Sequence, residues 1–181
     1  TTFTKKALED ICDMILEENK KRQGKKLYLL YDQMYGHLTY GNIQHFDPVS
    51  LRPEMKEFTI YVDAISKAFA ATGVRVGWSM GPASIISKMK AILSHIGAWA
   101  PMAEQKAVAH FLSDKPAINR YLIHFKNEVE ERLTKIYNGF IEIKSAGFKV
   151  DAVAPEAAIY LTIKLDLLGQ IQEDGKVLSS Q

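Results

Sequence analysis

An amphipathic helix followed closely by an unbroken apolar run limits the folds that this chain can adopt. Over residues 4–22 apolar side chains recur at helical spacing, Thr4 can cap the first turn and Gly24 ends the pattern. Residues 27–31 are then continuously apolar and end at Asp32. A helix, a short loop and a continuous apolar strand are typical of a parallel sheet buried on both faces. The sequence therefore predicts an α/β fold.

The rest of the chain continues this pattern of strands and helices. Further strands are predicted at 58–62, 74–78 and 158–163, and residues 36–57 are predicted to be a loop because of their glycines and prolines. Helical spacing predicts helices at 82–97, 102–113 and 117–143. The last of these is long enough to bridge two domains or to extend beyond a single core.

Composition and charge exclude several classes of function. The chain has 181 residues, 47% of them apolar and 24% charged, which is usual for a globular protein. The net charge is +2 and no basic field of the nucleic-acid-binding kind is present. No apolar run reaches the roughly 18 residues of a membrane span. Cys12 is the single cysteine, which indicates a reducing, cytoplasmic compartment, and its position predicts a small buried hydrophobe.

Two ionisable groups are predicted at one edge of the sheet. Asp32 ends the first apolar strand and Lys67 follows the second, and ligands of α/β sheets bind beyond the carboxyl ends of the strands. Arg75 lies eight residues after Lys67, between two glycines that allow close backbone approach. An amine attacks a carbonyl and a guanidinium binds phosphate oxygens in pairs. Pyridoxal phosphate carries both an aldehyde and a phosphate, so the pair suggests that cofactor.

Each of these residues also has a plainer interpretation. Lys67 by itself is a solvated lysine, although its apolar neighbours count against that. Arg75 in a strand more often pairs with a surface carboxylate. Asp32 and Tyr35 can be a turn aspartate and a core tyrosine, or a carboxylate that keeps a pyridine nitrogen protonated and a phenol that donates to a ring hydroxylate. The five histidines show no metal-ligand spacing, and neither a nucleophile elbow nor a P-loop is present.

Taken together, the motifs resemble the fold-type I pyridoxal-phosphate enzymes, specifically the class I/II aminotransferases of the aspartate aminotransferase group. The lysine signature of that family matches Ile65-Ser66-Lys67 followed by Gly73-x-Arg75-Val76-Gly77. Its upstream Asp-x-x-Tyr matches Asp32 and Tyr35, and further likeness lies at Gln105, Ala107, Gly147 and residues 157–161. One departure is Ala64, where the family usually has serine or glycine.

The resemblance implies a role for each matching residue. Lys67 would form the Schiff base with pyridoxal 5′-phosphate and later move the substrate proton. Asp32 would pair with the pyridine nitrogen and Tyr35 with the ring hydroxyl. Arg75 would bind the phosphate, with a smaller contribution from the Ser66 hydroxyl. No metal is implied.

The resemblance also implies the place of this chain in a longer protein. Residues 1–130 would be the later part of the large cofactor-binding domain, with a mostly parallel sheet and helices. Residues 131–181 would be the end of a linking helix and the start of an α+β small domain. The phosphate-binding loop, the aromatic side chain that stacks on the ring and the arginine that binds the substrate carboxylate cannot be placed in this chain. We therefore expect little or no transamination by the chain alone.

The implied activity is that of an aminotransferase that moves an amino group between an amino acid and a 2-oxo acid, in a homodimer without nucleic-acid or membrane partners. Two alternatives stay open at this point: another pyridoxal-phosphate enzyme of the same fold, such as a β-lyase or decarboxylase, and a non-catalytic sensor domain. Residues 97–102, with Trp99, lie where the family approaches the substrate or the dimer partner, and helix-end packing is the plainer role for Trp99. The absence of arginine between Arg75 and Arg120 argues against acidic-substrate recognition in this segment.

Overall fold

The computed structural model describes residues 2–169 and 176–177. In that part of the chain the helices are α1 (Lys5–Lys21), α2 (Pro48–Leu51), α3 (Ala83–Ile96), α4 (Met102–Phe111) and α5 (Lys115–Ser145). The strands are β1 (Leu29–Asp32), β2 (Thr59–Ala64), β3 (Gly77–Met80), β4 (Val150–Ala152) and β5 (Ile163–Leu165). Two 3-10 turns occupy Pro53–Glu57 and Thr72–Val74.

Strands β1, β2 and β3 form a sheet in that order, and β2 lies at its centre. β1 and β2 are parallel, with Leu29 opposite Thr59, whereas β3 returns antiparallel to β2, with Met80 opposite Tyr61. The carboxyl ends of β1 and β2 therefore meet at one edge, and β3 begins at that same edge. The segments that follow Asp32 and Ala64 leave the sheet side by side.

Helix α1 forms as its sequence predicts. The Thr4 hydroxyl caps it by accepting a hydrogen bond from the Ala7 amide at 3.2 Å. Its buried face packs on the sheet and on the first 3-10 turn, in a cluster formed by Leu8, Cys12, Ile15, Tyr31 and Met55. Cys12 is fully buried in this cluster, which confirms its predicted role as a small hydrophobe.

Two of the expectations for the first half of the chain are wrong. Only one face of β1 is covered, because Tyr31 is buried against α1 whereas Leu30 and Asp32 on the other face are exposed. The predicted loop at 36–57 contains α2 and a 3-10 turn. Pro48 and Pro53 begin these elements rather than prevent them, because proline suits a first helical turn.

Two predicted strands are displaced. The strand expected at 74–78 begins only at Gly77, since Arg75 adopts a left-handed conformation with φ 60°. The prediction of a strand at 158–163 is wrong, because Ala158 is also left-handed, with φ 66°. The strands in this part of the chain are β4 and β5, which pair antiparallel with each other. The predicted helices at 82–97, 102–113 and 117–143 are confirmed as α3, α4 and α5.

The segment before β5 packs against the segment after β1, in a contact that we call the seam. The Ala158 amide donates to the Leu38 carbonyl at 2.8 Å, and the Tyr40 amide donates to the Glu156 carbonyl at 2.9 Å. Thr39 and Ala157 form an isolated β-bridge between them. Below these bonds a cluster of Leu38, Tyr40 and Leu133 ties the seam to α5.

Helix α5 runs without interruption through the domain boundary predicted at residues 130 and 131, and the division itself stays a prediction. Within residues 2–169 and 176–177, no helix combines the length and the apolar character needed to cross a bilayer.

Asp47 provides a test of local stability. Burial by itself raises the pKa of Asp47, but hydrogen bonds from Ser50, from the Tyr61 hydroxyl and from the Val49 and Ser50 amides outweigh burial and hold that pKa below its usual range. A lowered pKa in the folded chain means that the carboxylate stabilises the fold above its unfolded pKa. That stabilisation disappears as the pH falls through the folded pKa.

We expect Asp47→Ala to lower the free energy of unfolding near neutral pH by about 1–2 kcal/mol, because the cap of α2 is lost. Asp47→Asn is the matched control, since asparagine caps helices equally well without ionising, and it should cost less. Urea unfolding at neutral and at strongly acidic pH measures both effects. The difference in the free energy of unfolding between the wild type and Asp47→Asn should disappear at strongly acidic pH. A constant difference between these two proteins across the pH range would contradict this assignment.

Candidate active site

The loop between β2 and β3 carries three of the predicted site residues and is held by two apolar anchors. Ile65 and Val76 are buried at its two ends, in a cluster with Val108 of α4, and the Ile65 amide donates to the Val76 carbonyl at 3.4 Å. Ala68 is also buried. Lys67 lies between Ile65 and Ala68 and is half-buried. The anchors therefore fix the backbone from which the lysine projects.

Thr72 joins Ser66 to Arg75 within this loop. The Thr72 hydroxyl donates to the Ser66 carbonyl at 3.0 Å, and Arg75 Nη1 donates to the Thr72 carbonyl at 2.9 Å. Ser66 and Arg75 line one cavity of about 580 Å³. Trp78, Met89 and Trp99 contribute apolar walls to the same cavity. A hydroxyl and a guanidinium thus share a pocket at the carboxyl end of β2.

Two non-glycine residues of this loop have left-handed backbone. Ala70 has φ 49° and Arg75 has φ 60°. Such conformations cost free energy for residues with a Cβ atom and cluster at functional sites. The left-handed backbone of Arg75 lies two residues before β3 begins, at a residue that lines the cavity.

Asp32 and Tyr35 lie on the turn that follows β1. Asp32 is exposed, and its Oδ1 accepts a hydrogen bond from the Met34 amide at 3.1 Å. The Tyr35 hydroxyl donates to the Tyr160 hydroxyl at 2.7 Å. Burial raises the pKa of Tyr35, and the hydrogen bond to Tyr160 and the negative charge of Asp32 raise it further. Tyr35 is therefore a protonated donor near a carboxylate.

The structure brings the predicted residues to one edge of the sheet but not into one cavity. Ser66 and Arg75 share a cavity whose lining, among the described residues, does not include Lys67, Asp32 or Tyr35. Asp32 and Lys67 follow the carboxyl ends of adjacent parallel strands, as expected. Their roles stay predictions.

Asp63 is a site residue that the sequence reasoning missed. It is half-buried at the end of β2 and lines the same cavity as Arg75. Its carboxylate accepts hydrogen bonds from the Ala64 amide at 2.7 Å and from Gln33 Nε2 at 3.3 Å, and burial raises its pKa. The rule that selected Asp32, a carboxylate at a strand's carboxyl end, would have selected Asp63 as well.

Lys90 of α3 was missed for a different reason. It lines the cavity together with residues of β2 and β3, which only the tertiary structure brings near α3, and it is exposed. No local pattern marks it, because a single lysine on a helix is normally a solvated residue. It adds an amine to the residues that line the cavity of Arg75.

A family model and two relatives found by sequence comparison are all named as aminotransferases. A family model described as aminotransferase class I and II matches residues 1–180. Aspartate aminotransferase from Bacillus sp. (strain YM-2) is 31% identical over 160 residues, which are 88% of this chain and 37% of that protein. A probable aspartate/prephenate aminotransferase from Rhizobium leguminosarum bv. phaseoli is 24% identical over 186 residues, with 98% and 42% covered.

Solved structures agree with these relatives. The aromatic aminotransferase from Pyrococcus horikoshii OT3 superposes with a TM-score of 0.76 at 28% identity, over 88% of this chain and 39% of that one. The aspartate aminotransferase from Rhizobium meliloti gives 0.72 at 28% identity, over 84% and 36%.

The fold is that of a pyridoxal-phosphate-dependent transferase of fold type I. The chain belongs to the class I and II aminotransferase family, and the predicted α/β fold of that family's large domain is confirmed. Enzymes of this family depend on pyridoxal 5′-phosphate. The chain spans less than half the length of the curated relatives described above.

The donor set of the loop fits this cofactor. Arg75 supplies a permanent positive charge and Ser66 a hydroxyl, both at one cavity, and this combination suits a phosphate. Gly77 closes the wall tightly, since a Cβ there would lie 3.0 Å from both the Ala64 Cβ and the Asp63 carbonyl. Larger side chains at this position would push β3 away from β2.

The strained loop can be tested with adjacent alanines. Ala70→Gly should raise the free energy of unfolding by about 0.5–1 kcal/mol, because glycine adopts a positive φ without a Cβ clash. Ala71, with φ −111°, is the matched control, and Ala71→Gly should lower the free energy of unfolding by a similar amount because it only adds backbone entropy to the unfolded state. Thermal or urea unfolding measures both. Two changes of the same sign would show that Ala70 is not strained.

Proposed function

We propose that this chain is the part of an aminotransferase that holds the phosphate and the reactive lysine. The observation that carries this proposal is the convergence of Ser66 and Arg75 on one cavity, on a loop whose anchors fix Lys67 directly beside Ser66. The proposed reaction moves an amino group between an amino acid and a 2-oxo acid. The names of the relatives favour this reaction over a β-lyase, a decarboxylase or a non-catalytic sensor.

Pyridoxal phosphate, when bound, supplies an aldehyde that accepts the amino group and a ring that withdraws electrons from the substrate's α-carbon. The Lys67 amine would take the proton from that carbon and deliver it to the carbon of the former aldehyde, which leaves the amino group on the cofactor. Asp32, at the carboxyl end of β1, stabilises a proton on the ring nitrogen. Tyr35 donates to the ring hydroxyl through its protonated phenol, and Arg75 with Ser66 neutralises and orients the phosphate.

We extend the proposal to the whole protein. It acts in the cytoplasm as a homodimer, with residues 1–130 in the large domain and 131–181 in the linking helix and small domain. Trp99 supports a partner or substrate near residues 97–102, since it lines the cavity of Arg75 and is 50% exposed. The relatives are named for aspartate, prephenate and aromatic substrates, and an amino acid paired with a 2-oxo acid is the substrate class that they share.

Trapping with borohydride tests the role of Lys67. The chain is mixed with pyridoxal phosphate and reduced, and the labelled peptide is mapped by mass spectrometry. We expect the label at Lys67, because buried Ile65 and Ala68 hold the backbone on both sides of this residue, next to Ser66. Lys67→Ala should remove this label.

Lys90→Ala is the matched control, because Lys90 is the exposed amine that lines the cavity. The label at Lys67 should persist in this variant. A label that disappears with Lys90→Ala and survives Lys67→Ala would assign the reactive amine to α3 and overturn the proposal.

The phosphate site is tested by comparing pyridoxal phosphate with pyridoxal. Removal of a charge-assisted pair of hydrogen bonds should weaken binding of the phosphorylated compound by about 10- to 100-fold in Arg75→Ala. Binding of pyridoxal should hardly change, since it has no phosphate. Arg75→Lys keeps the charge without the forked geometry and should fall between. Equal weakening for both compounds, measured by absorbance titration, would show that Arg75 does not bind the phosphate.

A further inference from the structure

Tyr160 forms the one side-chain contact described for the Tyr35 hydroxyl. The two hydroxyl oxygens are 2.7 Å apart, and the ring centroids are 5.6 Å apart with an angle of 73° between the planes. The hydrogen bond and the edge-to-face contact fix the same pair in two ways. Tyr160 lies 125 residues from Tyr35 in the chain, so only tertiary structure produces this contact.

The backbone around Tyr160 is held in place independently of its hydroxyl. Ala158, two residues earlier, is fully buried and donates to the Leu38 carbonyl, and its own carbonyl accepts from the Tyr40 hydroxyl. Leu161, directly after Tyr160, packs on the cluster of Leu38 and Tyr40. The seam therefore presents the Tyr160 ring to Tyr35 from a fixed support on both sides.

The pair is partly exposed to solvent. Tyr160 is 56% exposed although its neighbour Ala158 is buried. Tyr35 is close enough to Asp32 for that carboxylate to affect its ionisation, so the pair and the proposed ring-binding carboxylate belong to the same edge. A phenol has one proton and two acceptor lone pairs. When Tyr35 donates its proton to a ligand, the Tyr160 hydroxyl can reverse and donate to Tyr35.

We propose that Tyr160 is a positioning residue whose hydroxyl orients the Tyr35 hydroxyl toward the ring of the bound cofactor. This inference rests on the proposed function, because it takes Tyr35 to be the ring-hydroxyl contact. It adds a residue from beyond α5 to a site otherwise formed by the loops of the sheet. Tyr160 acts through Tyr35 and itself touches no reacting atom.

The first measurement needs no cofactor. Tetranitromethane nitrates tyrosines that ionise readily and are accessible, and peptide mapping gives the rate at each one. In Tyr160→Phe the ring contact remains but the hydroxyl partner is lost, so Tyr35 should be nitrated about two- to tenfold faster than in the wild type. Tyr28→Phe is the matched control. Tyr28 is an exposed tyrosine just before β1, at the opposite end of the strand from Asp32, and its change should leave Tyr35 nitration unaltered.

The second measurement uses pyridoxal phosphate and borohydride trapping at Lys67. Tyr35→Phe and Tyr160→Phe should each raise the pyridoxal phosphate concentration needed for half-maximal labelling by about two- to tenfold. The double variant should need no higher a concentration than Tyr35→Phe, because the two hydroxyls act as a unit. Tyr28→Phe should again behave as the wild type.

The outcomes separate the two proposals. Failure of the unaltered chain to label preferentially at Lys67, or of Tyr35→Phe to change labelling, overturns the proposed function and this inference with it. Normal labelling that responds to Tyr35→Phe but not to Tyr160→Phe overturns the inference alone, as does a Tyr35 nitration rate unchanged by Tyr160→Phe. Additive losses in the double variant also overturn it, since they would show that Tyr160 acts independently of Tyr35.

Discussion

The parallel pairing of β1 with β2 is the interaction on which the rest of this structure depends. It sets Asp32 opposite Val62 and sends the two following segments out from the same edge of the sheet. Without that register, the turn with Tyr35 and the loop with Lys67 would not leave the sheet at the same edge. The antiparallel return of β3 then brings Arg75 back to the edge that Ser66 has just left. A site made of residues far apart in the chain thus follows from two strand pairings.

Hydrophobic packing stabilises the segments that leave this edge of the sheet. Buried Ile65 and Val76 anchor the two ends of the loop between β2 and β3 on Val108 of α4. This packing supports a loop in which Ala70 and Arg75 have left-handed backbone. On the other side, the seam ties residues 38–40 to 156–158 and to Leu133 of α5. Ala70 and Arg75 lie between Ile65 and Val76 in the chain, and the packing of these two anchors offsets the cost of the strained backbone.

Part of this arrangement was predictable because its signals are local. The Thr4 cap, the buried Cys12 and the three helices from α3 to α5 follow from spacing over a few turns. The strand ends at Asp32 and before Lys67 follow from continuous apolar runs. The errors have physical causes: Pro48 and Pro53 begin short helices, Arg75 and Ala158 have positive φ, and the apolar run at 158–161 fills the seam instead of joining a ladder.

By itself, the sequence determined the family, the α/β class and the candidates Lys67, Asp32, Tyr35, Ser66 and Arg75, because these depend on residue types at fixed separations along the chain. Only the tertiary structure decided which of them share a space. It put Ser66 and Arg75 in one cavity, added Asp63 and Lys90 to that cavity's lining, and brought Tyr160 to Tyr35. The reason is that such contacts depend on strand register, on backbone strain and on the packing of segments more than a hundred residues apart. None of these leaves a periodic or local pattern in the order of the amino acids.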